Sequence, residues 1–134
     1  MEMPAHTTTL YQLVGGEETV AQLVQAFYPR VYRNPELAPL FEGEMEEIMR
    51  KQQMFLTQFL GGPTLYSDEF GPPAMRMRHM PFPITPERAE AWLACMKEAM
   101  DEIGLNGLAR DLFYGRLSQV AQIMVNTASD GTRP

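Results

Sequence analysis

"RMRHMPFPIT", residues 76–85, carries the one histidine that lies within patterned sequence; the other, His6, sits in a ragged start, "MEMPAHTTTL". His79 follows two arginines and precedes Pro81 and Pro83. A helix must end there, because proline has no N–H and its ring crowds the preceding turn. "PAMRMRHM" (73–80) is therefore a brief helix at most. Thr85 is then placed to cap a new helix whose first position is Pro86.

Working outward, that long helix has an apolar face of Ala89, Trp92, Leu93, Met96, Ala99, Met100 and Ile103, closed by Gly104. "LNG" (105–107) makes a turn, and a last helix presents Leu112, Phe113, Leu117, Val120, Ala121, Met124 and Val125. Upstream, Val20, Leu23, Val24, Phe27, Tyr28 and Val31 recur at helical spacing after "GGEET", where glycines turn the chain and acids suit a helix N-terminus. Pro35 and Pro39 confine "NPELAPLF" to a short turn or corner. A further stripe runs Met45, Ile48, Met49, Gln52, Phe55, Leu56 and Phe59 and stops at "GGP". "TLYSDEFGPP" (64–73) reads as irregular, from its turn-forming residues. The expectation is an all-α domain of four substantial helices, with a loop-rich section between the second and third. "TASDGTRP" (127–134) reads as a tail with nothing to bury.

With 134 residues the chain suits one domain with one core, and 45% hydrophobic against 21% charged residues is a globular mixture. A net charge of −6 with scattered bases argues against nucleic acid. No apolar run approaches the ~20 residues that span a bilayer. The single cysteine, Cys95, and a start lacking the regions of a signal peptide point to the cytoplasm. Eleven methionines suit either an ordinary core or one shaped around an irregular guest.

Four residues break the apolar pattern. Gln52 sits mid-stripe, and a buried amide needs a hydrogen-bond partner. Tyr28 and Trp92 each bring a polar handle to an apolar face. His79 is alone: structural zinc wants about four ligands, and no such cluster is present. Cys95 lies on the Trp92 helix, where a packing role outweighs that of a nucleophile partnered by His79. A haem, by contrast, brings four nitrogens of its own and needs only one from the protein.

The motifs "FYPRVYRNPELAPLF", "RKQQMFLTQFLGGPTLYS", "MRMRHMPFPIT", "RAEAWLACM" and "MVN" resemble those of the group II (O type) truncated haemoglobins, especially the bacillus-like branch, and cover most of residues 9–126 in order. The resemblance implies a two-over-two α-helical globin sandwich around haem b, with a shortened first helix and an extended loop before the proximal histidine. It divides the chain into a flexible tail (1–8), a globin domain (9–126) and a second flexible tail (127–134). It makes His79 the proximal iron ligand, with Tyr28, Gln52 and Trp92 as distal ligand-binding residues. Phe41 becomes the corner aromatic on the haem, at a position where many relatives carry tyrosine and its extra hydroxyl. Ile48 takes the gate position, and Phe55, Phe82 and Met96 line the macrocycle. Lys51, Arg78 and Tyr66 are carried to the haem propionates, where bases make charge-assisted bonds to carboxylates. Arg76 reads as a solvated surface residue.

The implied function is reversible binding of oxygen, and of carbon monoxide, nitric oxide or peroxide, at a pocket of hydrogen-bond donors. Bound dioxygen carries partial negative charge on its outer atom, so such donors imply high affinity. The alternative is a haem redox enzyme, peroxidase-like or converting nitric oxide to nitrate. The chain has no flavin or nicotinamide domain, so turnover needs an outside reductase. A monomer or homodimer is expected, without a nucleic acid or membrane partner.

Overall fold

The structure, a computed structural model that describes residues 8–132, has seven α-helices and no strand among the described residues; His6 lies outside them. They are α1 (Leu10–Val14), α2 (Gly16–Arg33), α3 (Met45–Phe59), α4 (Leu65–Phe70), α5 (Met75–His79), α6 (Pro86–Glu102) and α7 (Gly107–Met124), with a 3₁₀ turn at Ala38–Leu40. The four expected helices are α2, α3, α6 and α7. α2 packs on both α3 and α6, and α6 packs on α7. Two helix pairs are thus layered through the α2–α6 crossing.

The face read for α2 is the buried one: Val20, Leu23, Val24, Phe27, Tyr28 and Val31 are each at most 1% exposed. Each such aliphatic or aromatic burial contributes roughly 1.5–3 kcal/mol. Pro29 does not break the helix, because it sits on the exposed face, where a carbonyl left without a partner can turn to water. α6 is capped as expected, Thr85 Oγ1 accepting from the Arg88 N–H at 3.1 Å.

Two helices escape the periodicity. α1 is too short to show one, although Thr9 and Gln12 form a reciprocal capping box across it. Gly15 then joins α1 to α2 with φ 117°, and a Cβ there would lie 2.1 Å from the Thr19 hydroxyl oxygen. Only glycine fits this joint. α4 falls in the stretch read as irregular. Its turn-forming residues are overruled by tertiary bonds: Gln58 donates to Ser67 Oγ (2.7 Å) and accepts from the Ser67 N–H (2.9 Å), and Arg50 pairs with Glu69 at 2.7 Å.

Some faces also differ, as does the reading of 127–134 as a stretch with nothing to bury. Met45 and Leu112 are 43% and 44% exposed: Met45 is the first residue of α3, and Leu112, next to the buried Phe113, lies at the rim of the α7 face. The segment after residue 126 is tied to the domain at first: Thr127 is buried, its N–H donates to the Ile84 carbonyl, and Ser129 Oγ donates to Glu87. The chain turns after Met124 and returns along the start of α6, which is why Thr127 is covered.

Candidate functional site

Between α3, α5, α6 and α7 lies a cavity whose empty space, counting the part open to solvent, is about 860 Å³. Phe41, Gln52 and Phe55 form one part of its lining, and Trp92 and Ala89 of α6 another. Met75, His79, Phe82 and Ile84 form the α5 side, with Leu117, Val120, Ala121 and Met124 from α7. The lining is apolar apart from Gln52, His79, Arg88 and the Trp92 indole N–H.

His79 closes α5. Its Nδ1 lies 2.7 Å from the Met75 carbonyl oxygen. A carbonyl only accepts, so Nδ1 carries the proton and Nε2 is the ring nitrogen left for a metal. The helix that presents it begins at Ala74, the one non-glycine residue with positive φ (40°) among the described residues. Strain of this kind persists where the surrounding structure over-determines the backbone.

Of the other residues singled out by sequence, Phe41, Gln52, Phe55, Phe82 and Trp92 line the cavity. Neither the Gln52 amide nor the Trp92 indole N–H bonds to another described residue. Tyr28 is not in the lining but stands behind Phe41, ring centroids 5.8 Å apart and edge to face. It is 1% exposed, and burial, with the neighbouring Tyr32 phenol adding, holds its hydroxyl far above the usual phenol range. The phenol is therefore neutral, a donor and never a base at physiological pH.

Met96 and Ile48 also lie outside the lining. Met96 is fully buried, because α6 enters the core against α2 one turn beyond Trp92. Ile48 packs against the core near Gly43. Lys51, Tyr66 and Arg78 gather instead around Phe70, at the far side of Phe55. Lys51 Nζ is 4.9 Å from the Phe70 ring centre, and Tyr66 packs edge-on against Phe55 at 5.8 Å. Arg78 lies over Tyr66 and donates to the carbonyls of Phe70 (2.8 Å) and Pro72 (2.9 Å). Arg76 is not merely solvated: its Nη1 donates to the carbonyls of Ile123 and Val125 at the end of α7, which need donors because a helix terminus leaves them unpaired.

Two residues were missed. Arg88 lines the cavity with its guanidinium held by the Pro83 carbonyl at 2.8 Å. Its place three residues after the capping Thr85 was the available clue. Asn126, the last letter of "MVN", is 4% exposed and fully hydrogen-bonded beneath His79. Cys95 is buried, and burial, followed by Glu98, pushes its thiol up, which suits packing and not nucleophilic attack. No group of metal-ligating side chains occurs among the described residues. No helix there is long and apolar enough to cross a membrane.

These features meet a consistent set of relatives. A family model described as bacterial-like globin matches residues 9–126. The group 2 truncated hemoglobin YjbI of Bacillus subtilis (strain 168) is 56% identical over 111 residues, covering 83% of this chain and 84% of that protein. Two-on-two hemoglobin-3 of Arabidopsis thaliana is 40% identical over 90 residues, covering 65% of this chain and 51% of that protein. Among solved structures, the group II truncated hemoglobin from Bacillus anthracis superposes with a TM-score of 0.90 at 49% identity, covering 92% of this chain and 95% of that one. A structure described as truncated oxygen-avid haemoglobin from Bacillus subtilis gives a TM-score of 0.86 at 53% identity, covering 89% of this chain and 100% of that one. The helix order, the layered pairs and the histidine-bearing cavity thus have their explanation: the chain belongs to the bacterial-like globins, and its fold is that of the group II truncated haemoglobins of Bacillus.

Proposed function

We propose that the chain binds haem b non-covalently through His79 and holds oxygen, and other diatomic ligands, reversibly on the side of Trp92 and Gln52. The observation that carries this reading is the His79 ring on the cavity wall, oriented by Met75 so that Nε2 alone is left to ligate. The residues fit a haem: an apolar slot, one imidazole, the Arg88 guanidinium in the lining, and Lys51 and Arg78 outside the lining around Phe70 as further cations for carboxylate groups. No Cys-x-x-Cys-His motif is available for covalent attachment. Haem, when bound, supplies the ferrous iron at which small ligands bind.

The protein's own contribution is the set of donors. Trp92 and Gln52 line the cavity, with no partner for the indole N–H or the amide among the described residues, and Tyr28, outside the lining behind Phe41, adds a phenol that stays protonated. Donors already in place stabilise a polarised ligand such as oxygen more than neutral carbon monoxide. A net bond of about 1–1.5 kcal/mol changes a binding constant roughly tenfold. High oxygen affinity follows, in line with the description of the Bacillus subtilis relative as oxygen-avid. The redox-enzyme reading ranks second, because His79 and Arg88 are the only titratable side chains in the lining and neither is free to shuttle protons.

The test is a set of spectra of the purified, haem-loaded protein, with and without dithionite and carbon monoxide. His79→Gly should lose haem or alter its ligation, and free imidazole should partly restore it. Unchanged spectra in that variant would rule His79 out. Sustained peroxidase turnover in the usual enzyme range, roughly 1–1,000 per second, would reverse the order of the two readings.

A further inference from the structure

The segment from His79 to Ile84 has a hydrogen-bonding deficit written into its sequence. Pro81 and Pro83 have no N–H and α5 stops at His79, so this stretch is held by turn and side-chain bonds and not by a helix, the His79 carbonyl accepting from the Phe82 N–H at 2.9 Å. One side chain fills much of the deficit from 42 to 47 residues away. Asn126 Nδ2 donates to the carbonyls of His79 (3.3 Å) and Phe82 (3.0 Å). Its Oδ1 accepts from the Ile84 N–H (2.9 Å) and from Thr127 Oγ1 (2.7 Å). The backbone N–H groups of Asn126 and Thr127 both donate to the Ile84 carbonyl. All four bonds that a primary amide can make are used, and the group is buried. Arg76, on the same short helix as His79, reaches the same end of α7 through the Ile123 and Val125 carbonyls.

We propose that Asn126 is a positioning residue for the proximal histidine: with Arg76 it latches the His79–Ile84 segment to the end of α7 and so fixes the depth at which the imidazole meets the cavity. Met75 sets the rotation of the ring, and Asn126 sets the backbone that carries it. This rests on the reading of His79 as the iron ligand. Without the latch, the ties left to this five-residue helix are those of Arg78 to the Phe70 and Pro72 carbonyls just before it, its connection to α7 is lost, and the imidazole is presented over a range of positions.

The experiment uses the full chain loaded with haem. Asn126→Asp keeps the acceptor that binds Ile84 and Thr127 but cannot donate to His79 and Phe82. Arg76→Gln, at an exposed residue, loosens the second tie and serves if the first variant folds poorly. Three quantities are read: the iron–histidine stretching band of the ferrous protein by resonance Raman, the rate of haem transfer to an acceptor apoglobin, and hydrogen exchange over residues 75–84. Asn126→Asp should broaden the band and move it to lower frequency, and speed haem transfer about tenfold, the value of one or two lost bonds. Arg76→Gln should act in the same direction, about threefold on transfer. Faster exchange with an unmoved band and an unmoved transfer rate would make Asn126 a purely structural residue and overturn the proposal. A His79→Gly variant that keeps the wild-type band would overturn the ligand assignment itself and this proposal with it. A band lost in His79→Gly but unmoved in both latch variants would sink the positioning role alone.

Discussion

At the scale of single residues, the proposed oxygen binding rests on the donors on the Trp92 side of the cavity. Trp92→Phe should raise the oxygen dissociation rate by about tenfold for one lost hydrogen bond, and Tyr28→Phe, whose phenol stands behind Phe41, by less, each with a smaller effect on carbon monoxide. Donors that share one ligand are coupled, so the double variant should depart from the product of the two single effects. Stopped-flow rates at wild-type values in both single variants would contradict this account. Tyr28 also predicts a pH dependence. Its folded pKa is raised, so its stabilising contribution is complete below the unfolded value of about 10 and is lost as pH climbs beyond it. Urea unfolding from pH 8 to 11 should therefore show the stability difference between wild type and Tyr28→Phe shifting against the wild type above about pH 10. A difference that stays constant across that range would show that burial does not perturb this phenol. Tyr28, Gln52, Trp92 and His79 were all conspicuous in the sequence as polar groups on apolar faces. That Tyr28 stands behind Phe41 was not, because helical spacing gives a face but not the order of side chains in depth.

At the scale of elements, the ends of the helices matter more than their interiors. Thr85 caps α6 by accepting the Arg88 N–H, and the same helix carries Trp92 and Arg88 to the cavity. Thr85→Ala should cost about 1 kcal/mol in denaturant unfolding. The start of α5 behaves oppositely. Ala74 holds φ 40°, which costs an L-residue roughly 1–2 kcal/mol. Ala74→Gly removes that strain but adds unfolded-state freedom worth about 0.4–1 kcal/mol, so the net expectation is a gain of up to about 1.6 kcal/mol. A loss of stability in Ala74→Gly would mean that the methyl group contributes packing that outweighs its backbone strain. The capping residues Thr85 and Pro86 were legible because caps are local chemistry. α4 was not, since Gln58 and Arg50 of α3 hold together a sequence whose own preferences favour a turn.

At the scale of the whole molecule, the core is one cluster running through α2, α6 and α7, and the cavity lies at its edge. A ligand that binds only the folded chain stabilises it, by about 2.7 kcal/mol at a hundredfold excess over Kd. Haem should accordingly raise the melting temperature, and His79→Gly should remove much of that increment while leaving the haem-free protein nearly unchanged. An equal increment in both proteins would detach haem binding from His79. What the sequence alone determined was the set of long helices, their buried faces and the presence of one imidazole at a forced helix end. These follow from periodicity and from proline, both of which act within a few residues. What only the tertiary structure decided was which polar groups answer one another across the chain. Arg76 meets the end of α7, Arg78 the carbonyls of Phe70 and Pro72, and Asn126 the carbonyls of His79 and Phe82. An amide or guanidinium can satisfy any backbone oxygen, so its chemistry names no partner. The packing of α5 against α7 supplies that choice for Arg76 and Asn126, and the path of the chain from α4 into α5 supplies it for Arg78.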